Sequence, residues 1–358
     1  MDIQRYKEMH QAFWNLAEVN RPLIGFAIGA GQDSWSYWQY NRAAQALLNR
    51  DNITPDDIQP EDFIEDQRSY LELSDRIDDD IIRTAMPLAS VPWMEAILGC
   101  PFFSGDASLK SAPILENAAS LTTEPFDPQN PWVRKYLEFI RVYSYAFGDA
   151  YPVAQSVVRG PSDLASALMG AENATMALAM EPEAMHRLLE YVTGSLVDFL
   201  RLQQTYLPAF EGGYVIGQYE IWAPEPAIRI QEDFSVMYSP RFYDEFLKHL
   251  DQRIAGLSNY TLIHVHAPSL FLIDNFLEVS NIRAFQISKD AGVTKLEDMI
   301  PALRKIQKAG KPLIVKGQFD HYDIDLLKKK LTIGGLCIQP VVKDLSQAMA
   351  MLPELKKW

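Results

Sequence analysis

Cysteine is nearly absent. The 358 residues hold two, Cys100 and Cys337, too few for a disulfide framework. No run of about 18 uncharged apolar residues occurs, so no membrane-spanning helix is expected. The N-terminal residues MDIQRYKEMH contain no apolar signal core. Positive charge is scarce: 33 Lys and Arg stand against 47 Asp and Glu, a formal net charge of −14. A surface that negative repels a phosphate backbone and an anionic membrane, which argues against both as partners. These absences point to a cytoplasmic protein with reduced thiols. There is no repeat of 20–50 residues, no low-complexity run and no flexible linker. Neither Gly-x-Gly-x-x-Gly nor Gly-x-x-x-x-Gly-Lys-Ser/Thr is present, so no phosphate-cradling loop is indicated.

Apolar residues make up 48% and charged residues 22%, the balance of an ordinary globular chain. Residues 1–20 read as a helix with Phe13, Leu16 and Val19 on one side. Eight short apolar runs then read as buried strands: Leu23–Gly29, Thr84–Ser90, Val153–Arg159, Tyr214–Trp222, Thr261–His266, Ala284–Ser288, Pro312–Gln318 and Leu336–Val341. Helical patterns separate the later ones: Pro240–Leu257 after Ser239, Leu296–Ala309 before Gly310, Asp323–Leu331 and Leu345–Lys357. Pro182–Leu207 reads as a long helix, and the acidic stretch 49–66 as a surface excursion. Strands alternating with helices define parallel β-α-β units. Eight of them in one chain predict an α/β fold, a single (β/α)8 barrel over residues 1–358 with an N-terminal helical extension over 1–20. A doubly wound open sheet is the alternative.

The strongest local feature is Thr261-Leu-Ile-His264-Val-His266-Ala-Pro268. Two histidines at i, i+2 on a strand share a face. The end of the fifth strand is a barrel mouth, where active sites are built. Two imidazoles there can chelate one metal, and imidazole suits zinc; they can equally just hydrogen-bond their neighbours. Cys337, on the eighth strand, would complete a three-ligand set with one open position, unless it is an inert buried thiol. Asp290 ends the sixth strand. It reads as a fourth ligand, as a partner orienting a histidine, or as a helix N-cap.

With these residues in place, the chain resembles the uroporphyrinogen decarboxylase superfamily, which is built on a (β/α)8 barrel. The matching segments are Trp93–Pro101, Arg159–Ala165, Gln231–Pro240 and the chain from His264 onward. The true decarboxylase carries an Arg-Gln-Ala-Gly-Arg-Tyr stretch after its first strand and an aspartate near its second. Here Phe26–Ser34 has no arginine and Ala85–Ser90 no acid. Where the decarboxylase has a histidine near its last strand, this chain places Cys337.

A second branch, the zinc-dependent methyltransferases that work with corrinoid proteins, uses His-x-Cys on one strand and Cys on a later one. The resemblance implies His264, His266 and Cys337 as ligands, with His266 replacing a cysteine, and Asp290 at the open position as the catalytic acid residue. A corrinoid would arrive on a partner protein, since Asp-x-His-x-x-Gly is absent. Arg159, Gln218, Glu220, Trp222, Gln231 and Asp233 are expected around a thiol or a small methylated substrate, while Glu232 reads as solvated surface. Metal-independent decarboxylation of a tetrapyrrole, and a non-catalytic barrel that binds a corrinoid or a partner, are the alternatives.

Overall fold

A computed structural model describes residues 3–29, 42–48, 50–105, 108–290, 292 and 294–358. Its strands in chain order are β1 (Leu23–Ile24), β2 (Ala27–Ile28), β3 (Phe102–Gly105), β4 (Ser108–Ser111), β5 (Tyr214–Ile216), β6 (Ile221–Ala223), β7 (Ala227–Gln231), β8 (Tyr260–His266), β9 (Ile282–Lys289), β10 (Leu313–Gly317) and β11 (Leu336–Val342). One parallel sheet runs β1-β11-β10-β9-β8-β7, with β2 also on β11. Between β1 and β7, among the described residues, only sparse bonds link the chain around the barrel. Asp80 N–H donates to Ile24 O at 2.7 Å, Ala85 bridges Val153 in parallel, and the Gln155 side chain donates to Arg229 O at 3.0 Å. The architecture is the expected α/β barrel, with a full ladder on one side and single bonds on the other.

Alternation along the strands builds two layers inside the barrel. Outward residues such as Ile263, Phe285, Val315 and Ile338 join the helices in the main core. The inward residues Leu262, Ala284, Ile314 and Cys337 form an apolar floor with Leu23 and Ile81. Two positions further along each strand, His264, Gln286, Lys316 and Gln339 form a polar layer above it.

The predicted fourth strand is corrected. Tyr214–Trp222 reads as one apolar run, but Gly217–Glu220 is a turn, with Glu220 at φ 59° and its N–H on Ile216 O at 2.7 Å. β5 and β6 therefore pair antiparallel as a hairpin apart from the main sheet, and β7 takes the fourth position. The hairpin turn plugs the barrel from below. Gln339 Nε2 donates to Tyr219 O at 2.8 Å, and Ile82 N–H to Glu220 O at 3.0 Å. A Cβ on Gly217 would lie 2.9 Å from Gln155 O, so this close approach needs glycine. The helix Ile3–Trp14 backs the plug, with Trp14 Nε1 donating to Trp222 O at 2.8 Å.

Helix signals in the sequence fell close to the observed ends. Ser239 Oγ accepts the Phe242 N–H, and Gly310 at φ 69° follows the helix Leu296–Lys308. The 49–66 stretch is less superficial than its charge suggests, since Ile53, Ile58 and Phe63 are buried; Asn49 lies outside the described residues. Residues 30–34 of the arginine-free Phe26–Ser34 stretch also lie outside them.

Candidate metal centre

His264 and His266 end β8 on its inward face. Their Nε2 atoms lie 3.0 Å apart. Asp233, two residues past Gln231 at the end of β7, brings Oδ1 to 3.8 Å from His264 Nε2 and Oδ2 to 3.8 Å from His266 Nε2. Among the described residues these three form the cluster whose ligand atoms all lie within 4.8 Å of one another.

Hydrogen bonds at the far side of each ring fix its tautomer. Asp290 Oδ1 sits 2.6 Å from His266 Nδ1, and Oδ2 accepts the Ala267 N–H at 3.2 Å. A carboxylate only accepts, so His266 carries its proton on Nδ1. His264 Nδ1 faces Gln286 Oε1, and Tyr219 OH at 2.9 Å. Gln286 spends its amide donor on Ser288 Oγ at 3.2 Å, which leaves Oε1 to accept from Nδ1. Both Nε2 lone pairs then face each other across 3.0 Å, a repulsive contact unless a proton or a cation lies between them. Asp233 Oδ1 is buried and has no hydrogen-bond partner. Two imidazole lone pairs and one orphaned carboxylate oxygen fit a divalent cation. The donor set suits zinc, and also iron in its two-histidine, one-carboxylate form.

Electrostatics sharpen the arrangement. Burial, with the charges of Arg229 and His266, holds the His264 pKa well below the usual histidine range. Burial also pulls His266 down, but the hydrogen bond to Asp290 and the charges of Asp233 and Asp290 outweigh it and raise its pKa. Burial raises Asp233, and the neighbouring His266 and Arg229 charges partly offset this.

The loop that carries Asp233 is clamped from behind. Asp163 accepts the Asp233 N–H at 3.1 Å and the Phe234 N–H at 2.9 Å. Glu232 Oε2 accepts Ser162 N–H at 2.9 Å, satisfying the start of the helix Pro161–Met169. Glu232 is thus buried, not solvated surface as expected. Gln231 Nε2 donates to Asp233 Oδ2 at 2.7 Å and orients it. Beside Asp233 opens a cleft of about 630 Å³, lined by Glu95, Arg159, Asp163, Gln231, Asp233 and Val236. Arg159 is half exposed there and pairs with Glu95 at 3.0 Å.

Of the expected ligands, Cys337 is corrected. It shares a hydrogen-bonded row with Ile314, Gln286 and His264. The stagger of barrel strands carries that row downward, so three strands away it has sunk into the apolar floor. There the thiol is fully buried, and desolvation raises its pKa well above the usual range. Asp233 stands in the third position instead. Asp290 takes one of its three readings, the partner that orients His266.

The expected substrate-side residues divide. Arg159, Gln231 and Asp233 line the cleft. Glu220 is locked to Arg83 at 2.8 Å inside the barrel, and Trp222 packs with Ile82 and Val215 below it, so neither lines the cleft. Gln218 lies in the hairpin turn with Oε1 buried and unpartnered. Sequence reasoning missed Tyr219, Gln286, Asp163 and Lys316; only their inward strand parity could have marked Gln286 and Lys316.

The family model for uroporphyrinogen decarboxylase (URO-D) matches residues 102–253. The match takes in Arg159, Gln231 and Asp233 but stops short of β8. No curated protein sequence matches the chain. Among solved structures, a methyltransferase from Methanosarcina mazei superposes with a TM-score of 0.65 at 15% identity, covering 98% of each chain. At that identity the likeness is one of fold. The fold is an α/β barrel with a polar cluster at its mouth. Over residues 102–253 the chain is similar to the uroporphyrinogen decarboxylase family, and its fold is similar to that of the methyltransferase.

Proposed function

We propose that the protein is a metal-dependent methyl or small-alkyl transferase whose metal is held by Asp233, His264 and His266. The observation that carries this reading is the convergence of two Nε2 lone pairs and an orphaned carboxylate at the barrel mouth. The fold shared with a methyltransferase supports it. A zinc ion bound there supplies Lewis acidity, lowering the pKa of a thiol or polarising a methylated substrate.

The remaining chemistry belongs to the chain. Asp290 holds the His266 proton on Nδ1, and Gln286 with Tyr219 does the same for His264, so both Nε2 atoms stay free to accept. Gln231 and Asp163 fix Asp233. Arg159 offers a half-exposed guanidinium in the adjoining cleft for the substrate. The apolar floor beneath excludes water. The methyl group's other partner is a corrinoid carried on a separate protein, presented at the mouth. In place of the nitrogen-nitrogen-sulfur set, two neutral imidazoles and one carboxylate would leave a divalent ion with the same net charge but a harder third donor.

The test is elemental analysis of protein reconstituted with zinc, coupled to thiol methylation from methylcobalamin, with His264→Ala and Asp233→Asn alongside. One zinc per chain in the parent, lost in both variants together with turnover, is the expected result. Methylation that persists in metal-stripped protein would sink the reading.

A further inference from the structure

The polar layer inside the barrel contains one cation, Lys316, with no carboxylate hydrogen-bonded to it among the described residues. Lys316 points inward from β10; its partner on β9 is Ser288, which in turn pairs with His266 on β8. At the usual strand spacing its Cα lies about 10 Å from that of His266. Among the described residues its Nζ meets no acceptor; its nearest feature is the face of the Tyr219 ring, 5.3 Å from the centroid. Tyr219 in turn touches His264.

The interior carboxylates are already committed. Asp79 and Glu220 both bind Arg83, at 2.6 and 2.8 Å. Glu220 also accepts the Thr84 N–H. A second interior cation, Arg229, has no carboxylate hydrogen-bonded to it, and its buried Nε is unpartnered. Arg83 thus holds both Asp79 and Glu220, Arg229 lies near Asp233, and among the described residues Lys316 has no carboxylate hydrogen-bonded to it. A buried, unpaired cation is costly, and a divalent ion above it would add to the cost. Burial lowers the Lys316 pKa to about 8 despite the attraction of Glu220, which shows how little the chain itself does to hold that charge. Lys316 nevertheless keeps partial exposure, and the hairpin seals the barrel below, so the open approach is from the mouth.

We propose that Lys316 is an anion subsite in the polar layer above the barrel floor, and that the ligand entering the mouth is a small molecule bearing a compact oxyanion, a carboxylate or a phosphate. That the same ligand reaches the metal rests on the reading of Asp233, His264 and His266 as its holders; the subsite itself does not.

The experiment is isothermal titration of the metal-free protein and of the zinc-loaded protein with malonate, inorganic phosphate and neutral malonamide, for the parent, Lys316→Met, Lys316→Gln and Lys316→Arg. A charged hydrogen bond of ordinary strength predicts a loss of about 10- to 100-fold in anion affinity for the Met and Gln variants. Lys316→Arg should retain binding, and malonamide should bind none of them. Preference for malonate over phosphate, or the reverse, identifies which oxyanion the site is built for. Circular dichroism checks that each variant folds, and the Gln variant serves if the Met variant does not. Parent-like anion binding by Lys316→Met and Lys316→Gln overturns the proposal, as does equal binding of malonamide or no anion binding by the parent. If zinc fails to bind the parent, the metal reading falls, while the metal-free titrations still decide the subsite.

Discussion

Asp290→Asn isolates the contribution of one hydrogen bond to the metal centre. The substitution keeps the shape and removes the charge 2.6 Å from His266 Nδ1. Asn can still accept from the ring, but less strongly, and it no longer makes the imidazole more basic. Partners of this kind are worth about 10–100-fold in metal affinity, or roughly 1.4–2.7 kcal/mol. The pH dependence has a definite sign. In the parent, Asp290 and Asp233 raise the His266 pKa, so a proton competes with the metal for Nε2 as pH falls through the imidazole range. Removing the Asp290 charge lowers that pKa and weakens the competition. The deficit of the variant should therefore be larger near pH 8 than near pH 6. Zinc titration against a chromophoric chelator at the two pH values reads both numbers. Equal affinities at pH 8, or a deficit that grows on acidification, would refute the assignment of Asp290.

Cys337→Ala should leave zinc stoichiometry and affinity unchanged, because the thiol lies in the apolar floor; loss of metal in that variant would restore the thiolate as a ligand. The fully buried His10 accepts the Trp222 N–H at 2.8 Å and donates to Asp80 O at 2.7 Å, and burial lowers its pKa to about 4. Its neutral form is the native one, so its contribution to stability is complete above the unfolded pKa near 6.5 and is lost as pH falls toward 4. The loss should reach about 3 kcal/mol, seen as a drop in urea midpoint that His10→Gln flattens; an equally steep drop in the variant would exclude His10 as the cause. Arg83→Met strands Asp79 and Glu220 without a counter-charge inside the barrel. It should cost about 3–5 kcal/mol in chemical denaturation, and a cost under 1 kcal/mol would show that the pair protonates or hydrates freely.

The sequence by itself determined the barrel and where its mouth chemistry lies. Period-two parity puts His264 and His266 on one face whatever the surroundings, and runs such as Leu336–Val341 are too apolar to lie anywhere but in a buried strand. Caps at Ser239 and Gly310 are local backbone chemistry and are equally legible. What tertiary structure alone decided is which residues from different strands meet. Composition made Tyr214–Trp222 look like a strand, since a four-residue turn buried inside the barrel carries no polar signal; only its packing against Ile82, Gln155 and Gln339 shows it to be a plug. Cys337 and Asp233 exchanged roles for a similar reason. Strand parity says that a side chain faces inward, but the stagger between strands sets its depth, and that stagger is a property of the closed barrel, not of any one segment. Asp233 reaches the histidines because Asp163 grips its loop from a helix some seventy residues earlier, a contact that no local pattern in the chain encodes.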